Sequence, residues 1–149
     1  DHIYLLEINP RISQAHVDMF EKVHGYSHQQ IMVDIALGRR PAPMERRGRY
    51  NVSANFMLRS FEDGTVTRVP SPDDFDAVRA AFPGAEFKVR VKEGHRLSAL
   101  EGQDSYSYEL ANIFLGGNSR PELLESYDRV LEMLPFEVDG KLVSAHVSS

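Results

Sequence analysis

Glu7-Ile8-Asn9-Pro10-Arg11 sets a carboxylate, an amide oxygen and a guanidinium within five residues. On an extended chain side chains alternate, so Glu7, Asn9 and roughly Arg11 project to one side. Magnesium takes hard oxygen ligands and often only one or two from the protein, with substrate phosphates and water completing the shell. Glu7 and Asn9 are ligands of that kind. Arg11 would stand beside the same phosphates and stabilise charge that develops during transfer. Pro10 favours an extended Asn9 and stiffens the spacing. The string alone is short, and its plainer reading is a strand ending in an Asn-Pro turn with a Glu7–Arg11 surface pair. Its context favours the chemical reading, because it follows the apolar Leu5-Leu6 at the mouth of what reads as a buried strand.

Other reactive residue types are less well placed. His24 and His28 are four apart, as zinc ligands on one helix face are, but Gly25 interrupts that helix. Ser105, in Asp104-Ser105, lacks the Gly-x-Ser-x-Gly elbow of a nucleophilic serine, so turn capping is its reading. Gly116-Gly117-Asn118 lacks the Lys-Ser/Thr ending of a phosphate loop and reads as a strand-to-helix turn. Arg39, Arg40, Arg46, Arg47 and Arg49 share a stretch with Pro41, Pro43 and Gly48, which reads as a solvated linker.

The elements that must position these residues follow from periodicity. A strand is expected over 3–8, then a helix over 17–23 ended by Gly25. A second helix, capped by Ser27 and closed by Gly38, would carry Ile31, Ile35 and Leu37 on its apolar face, with Met32 and Ala36. Beyond the linker, Val52 to Phe61 alternates as a strand, and Asp63-Gly64 signals a hairpin to a return strand over 65–69. Ser71-Pro72-Asp73-Asp74 opens a helix that Pro83-Gly84 stops. Strands are expected over 86–91 and 108–115, the latter broken by Gly116-Gly117, with an irregular stretch over 97–103. Ser119 and Glu122 form a capping box for the last helix, whose stripe of Leu123, Leu124, Tyr127, Val130, Leu131 and Leu134 is core or a homodimer contact. A short strand is expected from Phe136. The fold class is therefore α+β, mostly antiparallel sheet with flanking helices.

The chain has 149 residues, no cysteine and a net charge of −5. Disulfides, thiolate metal sites and a cysteine nucleophile are excluded. The acidic balance argues against a nucleic-acid partner. No apolar run is long enough for a membrane helix, and the first residues lack the pattern of a secretory signal, so no membrane partner and a cytoplasmic location are expected. The chain opens directly on an apolar run without Met, which suggests a piece cut from a longer protein.

Leu5-Leu6-Glu7-Ile8-Asn9-Pro10-Arg11-Ile12-Ser13 resembles the last metal-binding strand of the ATP-grasp superfamily, and similar strings occur in carbamoyl-phosphate synthetases and biotin carboxylases. His16, five residues past Arg11, resembles a biotin carboxylase histidine. Glu93-Gly94-His95-Arg96-Leu97, Asp104-Ser105 and the final helix near Arg120 resemble the C-terminal domain of those enzymes. The resemblance implies an ATP-dependent ligase with ATP and magnesium, or manganese, as cofactors. It implies that Glu7 and Asn9 hold the metal, that Arg11 is the catalytic and nucleotide-contacting cation, and that His16 touches substrate. A carboxylate would be activated as an acyl phosphate and attacked by an amine or similar nucleophile. Ala15 stands where biotin carboxylases have a glutamate base, so biotin carboxylation itself is not expected.

The resemblance also implies that residues 1–40 complete an ATP-binding domain and that 41–149 form a C-terminal α+β domain. The rest of the site would come from the missing N-terminal part of the same protein, and the piece alone is expected to be inactive. The competing reading is a non-catalytic binding or oligomerisation module derived from the ligase fold.

Overall fold

In a computed structural model, residues 3–7, 11–13, 16–41, 43, 45–103 and 106–144 are described. Four α-helices and six strands run in the order α1 (Val17–His24), α2 (His28–Ala36), β1 (Val52–Ser60), β2 (Val66–Arg68), α3 (Pro72–Ala81), β3 (Glu86–Val89), β4 (Tyr108–Gly117), α4 (Arg120–Met133), β5 (Glu137–Val138) and β6 (Lys141–Leu142). The strands form two antiparallel sheets, β1-β4-β3 and β2-β5-β6. The fold is α+β, as the alternating patterns imply.

Strand β4 is the spine. Residues Leu110 to Leu115 are all buried, so both of its faces are covered. The pleat sorts those faces. Phe56 pairs with Ile113 and stacks on Tyr127 of α4, ring centroids 4.0 Å apart. Phe87 also pairs with Ile113 and meets Phe75 of α3. This face builds the main core, with Leu58, Val78, Leu97, Leu110, Ile113 and Val130 fully shielded. Each such aliphatic side chain contributes about 1.5–3 kcal/mol relative to exposure.

The opposite face, where polar side chains surround the buried Phe114, lies under α1. Ser53 Oγ donates to the Met19 carbonyl at 3.0 Å, and Lys88 on β3 pairs with Asp18 at 2.7 Å. Lys22, itself buried, donates to the Gly84 carbonyl and to Glu86, both at 2.6 Å. Polar side chains thus fasten α1 to the sheet, which explains why β1 is only half-buried along most of its length.

Local chemistry accounts for the helix ends. Ser71 and Asp74 form a reciprocal capping box on α3. Gly25 ends α1 at φ 78°. Gly38 follows α2 at φ 69°, with Arg39 N–H bonded back to the Asp34 carbonyl and Gly38 N–H to that of Ile35, a Schellman ending.

Four expectations are corrected. Residues 3–7 form no strand, and Ile3, Tyr4, Leu5 and Leu6 are at least three-quarters exposed. A strand needs a pairing neighbour, and no described strand lies beside them. Ile8 and the Asn9-Pro10 turn lie outside the described residues. The apolar side of α2 is not covered: Met32, Val33, Ile35 and Leu37 are each more than half exposed.

Asp63-Gly64 does not make a hairpin. Strand β1 pairs with β4, whereas β2 pairs with β5 in the other sheet. Asp63 is instead engaged by Arg96 at 2.7 Å and by the Ser98 N–H at 2.9 Å. Gly64 is small because Val138 would sit 2.3 Å from its Cβ. Gly116 and Gly117 do not break β4; they are its last residues, paired with Ser53 and Val52. Finally, the Glu122 carboxylate reaches past Ser119 to the Asn118 N–H at 3.2 Å, so the box on α4 is only half formed.

The stripe on α4 is core: Leu123, Tyr127, Val130 and Leu134 are buried against the sheet. The arginine-rich stretch is a connection without helix or strand among its described residues, and its arginines are exposed. It runs along the end of α1, where Gly48 N–H donates to the Val23 carbonyl and Tyr50 N–H to that of Lys22.

Candidate functional site

A cleft near the chemically suggestive segment lies between the residues before α1 and the start of α2. It is open, about 650 Å³, and lined by Arg11, Ile12, Ser13, His16, Phe20, His28 and Met32. His16 occupies the N-cap position of α1 and shares a 2.6 Å hydrogen bond between its Nδ1 and Ser13 Oγ. The His16 N–H donates to the Ser13 carbonyl at 3.0 Å, so a tight turn fixes the ring just beyond Arg11.

Helical spacing builds the two walls. His16 and Phe20 are four apart on α1, and His28 and Met32 are four apart on α2, so each pair shares a face. The Gly25 turn folds α2 back until His28 meets Phe20, ring centroids 3.9 Å apart. His24 stacks on the same phenyl ring at 5.4 Å. His24 and His28 are thus on different helices and packed on an aromatic ring. No group of three or more histidine, aspartate or glutamate side chains suited to a metal occurs among the described residues.

Of the residues singled out from the sequence, Arg11 and His16 share this cleft, and Arg11 is solvent-exposed within it. Glu7 is exposed in the extended segment before the cleft and does not line it. Asn9 lies outside the described residues, as do Asp104 and Ser105. Sequence reasoning missed Phe20 and His28 as cleft walls. The signal available was the four-residue spacing from His16 and the glycine that folds the second helix back.

The cleft therefore offers one permanent cation, two imidazoles, a hydroxyl and an apolar floor of Phe20 and Met32. Such a set binds a carboxylate or phosphoryl group beside an apolar or aromatic moiety.

The whole-chain architecture can be compared with solved structures. Over 92% of its length the chain matches the crystal structure of the biotin carboxylase domain dimer of the Hydrogenobacter thermophilus 2-oxoglutarate carboxylase, with a TM-score of 0.60. The chain thus shares the fold of part of that biotin carboxylase domain. Sequence identity is 17%, and the chain spans 29% of the length of that neighbour. The neighbour was solved in complex with MgADP, ADP and bicarbonate. No family model and no curated protein matches the sequence. The biotin carboxylase-like fold accounts for the antiparallel sheet with helices on both faces. No helix among the described residues is long and apolar enough to cross a membrane.

Proposed function

We propose that this chain is part of an ATP- and magnesium-dependent ligase that joins a carboxylate to an amine or similar nucleophile. One observation carries the reading: Arg11, singled out by its spacing from Glu7 and Asn9, and His16, singled out by the resemblance, meet in one cleft of a chain with a biotin carboxylase-like fold. The neighbour's MgADP and bicarbonate give the reading its ligand classes.

The donor chemistry fits magnesium. Glu7 presents a solvent-exposed carboxylate, and an ion that leans on substrate phosphates needs only one or two protein oxygens. Glu7 and Asn9 would hold it, with manganese as the alternative ion. When bound, such an ion neutralises phosphate charge in the transferring group.

The chain's own side chains act together with the rest of the site. A carboxylate oxygen of the substrate attacks the γ-phosphorus of ATP, ADP leaves, and an acyl phosphate forms. The amine then attacks the acyl carbon, and inorganic phosphate leaves. Arg11, always charged, stabilises the phosphoryl oxygens and then the acyl phosphate. His16 orients the substrate, its ring held by Ser13. Phe20 and Met32 exclude water from the apolar side of the cleft.

We assign residues 1–40 to the end of the ATP-binding domain and 41–149 to the C-terminal domain. The remainder of the nucleotide cradle comes from another part of the same protein, so the isolated chain is expected to be inactive. A homodimer and a cytoplasmic setting complete the proposal. The test is magnesium-ATP binding by the longest natural chain containing these residues, beside a Glu7→Ala, Asn9→Ala double variant. Binding that depends on magnesium and is lost in the double variant supports the ligase. Absence of binding in the parent overturns it and leaves a non-catalytic module on the same fold.

A further inference from the structure

A second cleft lies on the α4 side of the sheet, away from Arg11 and His16. It is about 320 Å³ and is bounded by the end of the linker, the end of α3, the end of β4 and one face of α4. That volume lies in the range of small-molecule sites. Its walls are unusually well fixed. Tyr50 donates its hydroxyl to the Pro83 carbonyl. The Tyr50 ring lies so close to Gly116 that a Cβ there would meet it at 2.2 Å. Gly84, at φ 86°, leaves room for the Tyr50 hydroxyl at 3.3 Å from its own ideal Cβ position. Two glycines therefore make space for one aromatic wall.

Two guanidiniums are held on those walls. Arg49 lies over the Tyr50 ring at 5.5 Å and Arg129 over the Phe82 ring at 5.2 Å. Among the described residues neither has a carboxylate at ion-pair distance. This is unexpected for Arg129, because Glu125 sits four residues before it on α4, the spacing and order that favour an ion pair. The Glu125 carboxylate lines the same cleft and also has no partner among the described residues. Glu122, the other acid in the cleft, is engaged by Asn118.

We propose that this cleft is a binding site for a free amino acid. The two guanidiniums take its carboxylate, whose planar fork they match. Glu125 takes its ammonium group, and Tyr50 and Phe82 flank its side chain. A phosphate dianion is disfavoured by the two glutamates, which leave the lining with no net positive charge. The proposal is independent of the ligase reading, since it uses none of the residues around Arg11.

Titration calorimetry on the full-length protein tests it, with each protein amino acid added singly. For any that binds, the matched acid without its amine and the matched amine without its carboxylate follow. Saturable binding of at least one amino acid is expected. Arg49→Ala and Arg129→Ala should each weaken it by about tenfold or more, as loss of a charge-assisted hydrogen bond does. The acid lacking the amine should bind the parent protein at least about tenfold more weakly, and Glu125→Gln should largely remove that preference. The last comparison needs no arginine variant, so it stands even if one fails to fold. No saturable binding by any amino acid overturns the proposal. So does binding that survives both arginine substitutions, or inorganic phosphate binding as tightly as the best amino acid.

Discussion

Lys22 shows how much one side chain carries. Its ammonium is buried on α1, yet it makes 2.6 Å contacts to the Gly84 carbonyl and to Glu86, whose side chain is half exposed. The two partners are not equivalent. Removing Lys22 strips two charge-assisted hydrogen bonds and a packed stem, and leaves a carbonyl unpaired. Removing the Glu86 charge leaves Lys22 with the carbonyl and with water at the open end. Lys22→Ala is expected to destabilise the protein by about 2–3 kcal/mol, and Glu86→Gln by less than about 1 kcal/mol. Urea denaturation midpoints of the two variants check the asymmetry; equal losses would contradict it.

Tyr127 gives the residue scale a pH dependence. Burial, with a smaller contribution from the charge of Asp128, pushes its phenol up to about 12. In the unfolded chain the phenol ionises near its ordinary value of 10.0. A folded-state value above the unfolded one favours the folded state while the phenol stays neutral. That contribution is complete below pH 10 and is lost as pH rises through about 12. Stability should fall across that window, and Tyr127→Phe should flatten the fall, as followed by thermal melts at stepped pH.

Elements differed sharply in how legible they were. Helices α3 and α4 were readable because capping serines, first-turn prolines and apolar stripes act locally, within a turn or two of chain. Strand partners were not. Asp63-Gly64 carries the same short-range hairpin signal as Asp139-Gly140, which does join β5 to β6, yet the first pair serves distant groups: Arg96 and Ser98 bind Asp63, and Val138 crowds Gly64. Pairing between residues this far apart in the chain leaves no local mark. The exposed apolar face of α2 was equally invisible, since periodicity reports amphipathicity and not what covers it. Gly64→Ala is expected to destabilise by about 2 kcal/mol or more, because its Cβ would meet the Val138 side chain and displace the β2-β5-β6 sheet. Gly140→Ala, where nothing lies within 4 Å but φ is 74°, is expected to cost only the smaller backbone strain of about 1 kcal/mol. Thermal melts of the two variants rank them directly.

At the scale of the whole molecule, one face of the sheet β1-β4-β3 is held by α1 and the other by α3 and α4. Its biotin carboxylase-like fold was legible only through the short Glu-x-Asn-x-Arg string and its surroundings, because 17% identity leaves few residues to recognise. The site was legible in part: Arg11 and His16 share a cleft, while the α2 wall that His28 and Met32 add depends on the Gly25 turn.

Arg11 is proposed to serve acyl phosphate formation, and trapping that intermediate tests this role. The full-length protein would be given ATP, magnesium and a panel of carboxylates, with hydroxylamine in place of the amine. Hydroxamate and ADP should appear in equal amounts with at least one carboxylate, and Arg11→Ala should lower both by about a hundredfold or more, as loss of a transition-state cation does. Hydroxamate formed at the parental rate by Arg11→Ala, or no hydroxamate with any carboxylate, would contradict the account.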